Sequence, residues 1–342
     1  MTGAADQREK SPPARRGKEY TMEWMITPCN PNAQPCVRKM MAYLGQLAGK
    51  GILTGQHTKT RGMEELHHIE QVTGRQPALL GFELLAYSPN INYLDTDEEC
   101  MEEVAGNYGT LRQAWEWAAQ KGVITFTWHW FSPLGGRSKS FFSRNTDFDA
   151  TRALVEGTLE NKALLSDMDM MAGLLRPFCD AGVPILWRPF HEGDGDWFWW
   201  GVKGPETVKA LWRLMYDRYT NLHGLNNLIW VWNSPVPACY PGDDVVDIIS
   251  RDMYPPAHLH TAQMEKLTEL QKLTAQRKIA LIGEIGTLPS AEALAAEKAE
   301  WVSYMTWCGE FCTSEEFTTN EALQAMYSHP WAVTKDKLPE LY

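Results

Sequence analysis

Eight short apolar runs, each separated from the next by a stretch long enough for a helix, constrain this chain more than any other feature. They are Gly51–Gln56, Ala78–Ala86, Val123–Trp130, Pro184–Glu192, Leu228–Ser234, Asp247–Tyr254, Ile279–Gly286 and Trp301–Gly309. Parallel strands cannot be joined by a tight turn and need a crossover, usually a helix, so this alternation is the pattern of a parallel sheet. The connecting stretches carry helical spacing. Residues 98–121 place Met101, Val104, Tyr108, Leu111, Trp115 and Ala118 at three- and four-residue steps before Lys121-Gly122, and residues 205–224 do the same with Val208, Leu211, Trp212, Met215 and Tyr219. Eight strands joined in this way predict an α/β fold, a single (β/α)8 TIM barrel over residues 23–342, in preference to an open doubly wound sheet. Residues 1–22 carry Ser11, Pro12, Pro13, Arg15 and Arg16 with almost no apolar side chain, and read as a disordered tail outside the fold.

Charge narrows the partners. Lys plus Arg number 32 against 43 for Asp plus Glu, and the net charge of -11 repels phosphate backbones and anionic headgroups, which disfavours nucleic acid and membrane surfaces as partners. No apolar run reaches the roughly 18 residues that would span a bilayer, and the first twenty residues lack the apolar stretch of a secretory signal. A cytoplasmic location is the expectation, unless a leader has been removed. Seven scattered cysteines, an odd number, argue for a reducing compartment, and neither Cys308 and Cys312 nor Cys29 and Cys36 have the companions of a zinc ribbon. The 15 tryptophans are an excess with two readings: aromatic rings fill cores, and they also stack on the C–H faces of sugars.

A barrel builds its site where the loops after its strands converge, so polar groups closing the apolar runs are the candidates. Run three closes with His129, run four with Arg188, His191 and Glu192, run six with Asp252 and Tyr254, run seven with Glu284 and run eight with Trp307. Glycoside hydrolysis needs two carboxyl groups, one to protonate the leaving oxygen and one to attack or stabilise the anomeric centre. Glu192 and Glu284 are the pair. The loop GDGDWFWWG after Glu192 offers rings that shield a carboxyl and raise its pKa, which suits an acid. Glu284 sits between the glycines of IGEIG, with room for a sugar, and the Tyr254 hydroxyl is a candidate donor to it.

The segment WRPFHEGDGDWFWWG at 187–201 closely resembles the acid/base loop of glycoside hydrolase family 26. GILTGQH at 51–57, TWHW at 127–130, RDMYP at 251–255, IGEIG at 282–286 and YMTWCGEF at 304–311 follow in the family's order. The resemblance implies a retaining (β/α)8 enzyme of β-mannanase type, acting on β-1,4-linked mannan or manno-oligosaccharides without metal or organic cofactor. It implies Glu192 as acid/base, Glu284 as nucleophile, and His129, His191, Trp197, Tyr254 and Trp307 as substrate-binding residues. Arg188 and Asp252 are read as holding the carboxylates through charge-assisted bonds. Where the familiar mannanase loop carries Met-Asn or a similar pair, this chain has Gly193-Asp194. Family branches acting on β-1,3-xylan or mixed-linkage β-glucan, and a barrel that binds sugar without chemistry, are the alternatives. A retaining mechanism predicts carboxyl groups about 5–5.5 Å apart.

Other polar residues receive plainer readings. His57, His67 and His68 are structural or surface residues, and Glu83 is either at the site rim or in a structural ion pair. Trp115, Trp117 and Trp212 pack into the core, and the acidic stretches Asp95–Glu99 and Glu64-Glu65 are solvated helix starts.

Overall fold

The strands form a ring. The computed structural model describes residues 24–91, 93, 98–134 and 140–342, so the tail read over residues 1–22 lies outside the described residues. β1 runs in two pieces, Ile52–Leu53 and Gly55–His57, and is followed by β2 (Leu79–Glu83), β3 (Val123–Thr127), β4 (Ile185–Arg188), β5 (Leu228–Asn233), β6 (Ile248–Met253), β7 (Ile279–Ile285) and β8 (Trp301–Ser303). Each pairs in parallel with the next. The ring closes because β1 pairs β2 through Gly55↔Leu79 and also meets β8 and its continuation through Leu53↔Ser303 and Gln56↔Thr306. A two-residue strand, Ala332–Val333, pairs with the lower part of β1 and fills the seam beneath β2.

Side chains on a strand alternate in direction, and the two hydrophobic clusters divide along that alternation. Leu53, Leu79, Val123, Leu186, Val231, Ile248, Leu281 and Val302 meet inside the ring. The intervening residues, among them Phe82, Phe126, Trp187, Trp230, Ile282 and Trp301, pack outward against the helices. Val37, Met40, Met41 and Leu44 of the helix Pro35–Leu47 join the inner cluster and plug one mouth of the barrel. The opposite mouth, at the carboxyl ends of the strands, is left for polar groups. Nine of the 15 tryptophans are fully buried, so most of the tryptophan excess is packing.

Several expected elements differ. The helix expected over 98–121 is two, Glu98–Gly106 and Thr110–Ala119, broken where Gly109 adopts φ 86°, a conformation that only glycine takes without strain. The second expected helix is α-helical over Pro205–Asp217 and widens into a π turn at Arg218–Leu222. Trp115 is 41% exposed, resting edge-on against Phe178, whereas Trp117 and Trp212 are buried. Glu65 is no solvated helix start: 2% exposed, it accepts from Thr58 Oγ1, Lys59 N and Gly309 N, tying the loop after β1 to the loop after β8. Of the other acidic stretch, residues 95–97 lie outside the described residues, and Glu98 and Glu99 open a helix, exposed. No helix among the described residues is long and apolar enough to cross a membrane.

Asp167, on the long helix Leu159–Asp180, joins that helix to two loops by accepting from Trp130 Nε1 at 2.9 Å and Asn90 Nδ2 at 3.2 Å. Burial raises its pKa to about 7 against the pull of those bonds. The folded state therefore holds this proton more tightly than the unfolded chain does. Stability from this group is greatest at low pH and is lost as pH rises from about 4 to 7. Asp167→Asn is expected to unfold at a higher temperature than the parent at pH 8, by up to roughly 4 kcal/mol of stability, with the gap closing toward pH 5. Parallel melting temperatures across that range would refute this.

Candidate active site

β4 stops at Arg188, not at Glu192, because Pro189 has no N–H to extend the ladder. The chain then turns through Phe190 and Glu192, both at φ 50°. Left-handed backbone costs such residues roughly 1–2 kcal/mol each, and here Asn233 Oδ1 at the end of β5 holds the turn by accepting Glu192 N at 2.9 Å. A Cβ on Gly193 would lie 2.8 Å from Val208 Cγ2 and 3.0 Å from Phe190 O, so the turn closes only with glycine there.

Glu284 reaches the mouth by a different device. Ile279 and Leu281 face the interior, so strict alternation would send residue 284 outward. The register between β6 and β7 shifts, pairing Arg251 with Ile282 and Asp252 with Glu284, and Gly283 is the extra residue. This bulge reverses the alternation and brings Glu284 inside. The glycine does not make room for a sugar: a Cβ there would lie 2.4 Å from Asp252 Oδ1 and 2.6 Å from Asn233 Nδ2. Gly286 similarly clears Tyr254 and Phe311.

One oxygen from each of Glu192, Asp252 and Glu284 lies within 4.8 Å of the others. Arg188, 2% exposed, reaches Asp252 with Nη1 at 2.8 Å and Glu284 Oε1 with Nη2 at 2.5 Å. Burial disfavours its charge, yet the two carboxylates outweigh that and hold it firmly protonated. Tyr254 Oη donates to the other Glu284 oxygen at 2.8 Å. Burial, then the charges of Glu284 and Asp252, push this phenol well up, so it remains a donor. Glu284 thus takes a donor at each oxygen, the pattern of an ionised carboxylate. Glu192 is raised, first by burial and then by the charge of Asp252, against the hydrogen bond that Trp197 Nε1 gives its Oε2 at 2.8 Å. Asp252 is pushed up to about 7 by burial and then by Glu284, against Arg188.

Imidazoles and indoles line the rest. His129 lies two residues past β3, its Nδ1 2.6 Å from Glu83 Oε2 and its Nε2 3.1 Å from His191 Nε2. Trp307 lies beyond β8, which ends at Ser303, and is placed by a bond from its own N to Ile285 O. Trp197 is 45% exposed on the loop after Glu192. The structure therefore brings Arg188, Asp252, Tyr254 and Glu284 into direct contact, Trp197 onto Glu192, and His129 onto His191.

Three further residues belong to this site, two of which sequence reasoning did not place there. His57 was grouped with structural or surface histidines, but it is buried at the end of β1 with its ring 4.1 Å from that of Trp307, while His67 is exposed. Asn233, which bonds Glu192 N and donates to Asp252 Oδ1 at 2.7 Å, closes β5 but does not titrate, so a search for acids and bases misses it. Glu83 is a buried ion-pair partner of His129 inside the site, which unites its two readings. His57 follows run one directly and Asn233 lies next to the end of run five, whereas Glu83 lies inside run two and closes only the strand itself.

Residues 29–337 match the profile of Glycosyl hydrolase family 26. A mannan endo-1,4-beta-mannosidase of Thermothelomyces thermophilus is 36% identical over 90% of this chain and 62% of its own length. Mannan endo-1,4-beta-mannosidase B of Piromyces sp is 31% identical over 94% of this chain and 55% of its own. The chain thus spans little more than half the length of these relatives. Among solved structures, a Podospora anserina GH26-CBM35 beta-(1,4)-mannanase superposes with a TM-score of 0.83 at 33% identity, covering 96% of this chain and 71% of that one. A beta-mannanase from a symbiotic protist of the termite Reticulitermes speratus, complexed with gluco-manno-oligosaccharide, gives 0.83 at 30% identity over 93% and 99%. By sequence over nearly its whole described length, and by a matching barrel, this chain belongs to glycosyl hydrolase family 26.

Proposed function

We propose that the chain hydrolyses β-1,4-mannosidic linkages in mannan or manno-oligosaccharides with retention of configuration, Glu284 acting as nucleophile and Glu192 as acid/base. The observation that carries this reading is the approach of one oxygen of Glu192 to within 4.8 Å of one oxygen of Glu284. Inverting enzymes hold their carboxyl groups roughly 6.5–9.5 Å apart to seat a water between carboxylate and sugar, and retaining ones about 5–5.5 Å. The names of the relatives support the substrate class.

In the first step a Glu284 oxygen bonds to the anomeric carbon while the glycosidic C–O bond breaks and the Glu192 proton passes to the leaving oxygen. In the second, Glu192 takes a proton from water, whose oxygen displaces Glu284 and releases the sugar. Arg188 and Tyr254 orient the attacking carboxylate, and Asp252 anchors Arg188. His129, His191, Trp197 and Trp307 form the walls against which the sugar lies. Trp197, bonded to Glu192 and exposed, suits the leaving-group side.

A substrate panel tests the reading. Reducing sugar is expected from β-mannan and manno-oligosaccharides at rates at least tenfold above those on β-1,3-xylan or mixed-linkage β-glucan. Preferential turnover of either of the latter moves the chain to another branch of the family, and ligand recovered unchanged from all three makes it a binding barrel.

A further inference from the structure

Glu83, at the end of β2, is 3% exposed. Its Oε1 accepts Leu85 N at 2.9 Å and His129 N at 2.7 Å, and its Oε2 takes His129 Nδ1 at 2.6 Å. Among the described residues, its one ion-pair partner is this histidine. A carboxylate so far from water costs several kcal/mol without a cation, and His129 as imidazolium supplies one. With Nδ1–H given to Glu83, the second proton of His129 sits on Nε2, 3.1 Å from His191 Nε2. Two imidazole nitrogens bond only when one holds a proton and the other a lone pair. In the arrangement that gives Glu83 its cation, His191 is the neutral acceptor and carries its own proton on Nδ1, which has no hydrogen-bond partner among the described residues.

We propose that Glu83 is a positioning residue that keeps His129 charged, and that through this buried cation it sets the pH range over which Glu192 and Glu284 work. The proposal rests on the catalytic reading of those two carboxylates. Around His129 stand His57 from β1, Glu83 from β2, His191 and Glu192 from the turn after β4, and Glu284 from β7, while the Arg188 charge acts on His57 and His191. Phe141, Phe198 and Trp307 are its uncharged aromatic neighbours. The titration directions agree with the hydrogen bonding. Burial presses His129 down, but the charge and bond of Glu83, followed by the charges of Glu284 and Glu192, carry it above the ordinary value. Burial, then the charges of His129 and Arg188, hold His191 well below its own. In return, the His129 charge lowers Glu192.

Glu83→Gln keeps an oxygen for the two backbone donors and removes the charge. With His129 neutral, both carboxylates become easier to protonate, so both limbs of the kcat/KM profile should move to higher pH by about half a unit or more. Relative to its parent, the variant should lose activity severalfold on the acid limb, near pH 5, and match or exceed it on the alkaline limb. A purely structural residue would instead lower activity by one factor at every pH, and unmoved limbs in a folded variant overturn the proposal. Nitrogen-15 NMR of the histidine rings, with the His129 signals assigned by their loss in His129→Gln, decides independently of folding or turnover in the Glu83 variant. Both ring nitrogens of His129 should be protonated at pH 7.5 in the parent protein, and a neutral ring there contradicts the proposal. An absence of turnover on every β-glycan would defeat the catalytic reading while leaving the NMR result to stand.

Discussion

Glu284→Ala is expected to lower kcat on manno-oligosaccharides by about four orders of magnitude or more, equivalent to at least roughly 5.5 kcal/mol of barrier. No other carboxylate can replace it. Asp252 is held by Arg188 Nη1 and Asn233, and Glu192 is the acid/base of the proposed reaction, its Oε2 bonded to Trp197. The fold should survive, because Arg188 keeps Asp252 when it loses Glu284 and so is never left as an unpaired buried cation. A melting temperature within a few degrees of the parent, together with the lost turnover, separates chemistry from unfolding. Near-full activity would remove Glu284 from the mechanism.

Glu192→Ala should give a loss that depends on the leaving group. Natural linkages need a proton on the departing oxygen, so kcat/KM on them should fall by about 10²- to 10⁴-fold. An aryl mannoside with a strongly acidic phenol needs no such help: its first step should stay fast while the second, now without a base for water, limits turnover and lowers KM. Azide, which needs no deprotonation, should restore turnover and yield the β-configured glycosyl azide. Equal losses on both substrate types, with no response to azide, would show that Glu192 binds rather than transfers protons.

The eight apolar runs made the barrel legible, because burial of both faces of a parallel strand leaves a continuous hydrophobic segment. Their ends were less so. Run four continues apolar and aromatic past Arg188, and only Pro189 marks where the ladder stops. At run seven, hydrophobicity is silent about the bulge, yet Gly283 decides which way Glu284 points. The resemblance named the carboxylates and their neighbours, but contacts between segments distant in sequence, such as Glu65 to Gly309 or Glu83 to His129, follow from packing geometry that no local pattern carries. Tryptophan abundance overstated the sugar-facing surface, since a ring buried between strand and helix and a ring at the mouth are the same letter in a sequence.

The most direct test follows the anomeric proton of the first product by NMR during hydrolysis of a manno-oligosaccharide, before mutarotation mixes the forms. With Glu192 and Glu284 working across so narrow a gap, the β-anomer should appear first and the α-anomer only as mutarotation proceeds. An α-anomer that appears first would mean direct attack by water from the opposite face, and the double displacement assigned to this pair would be wrong.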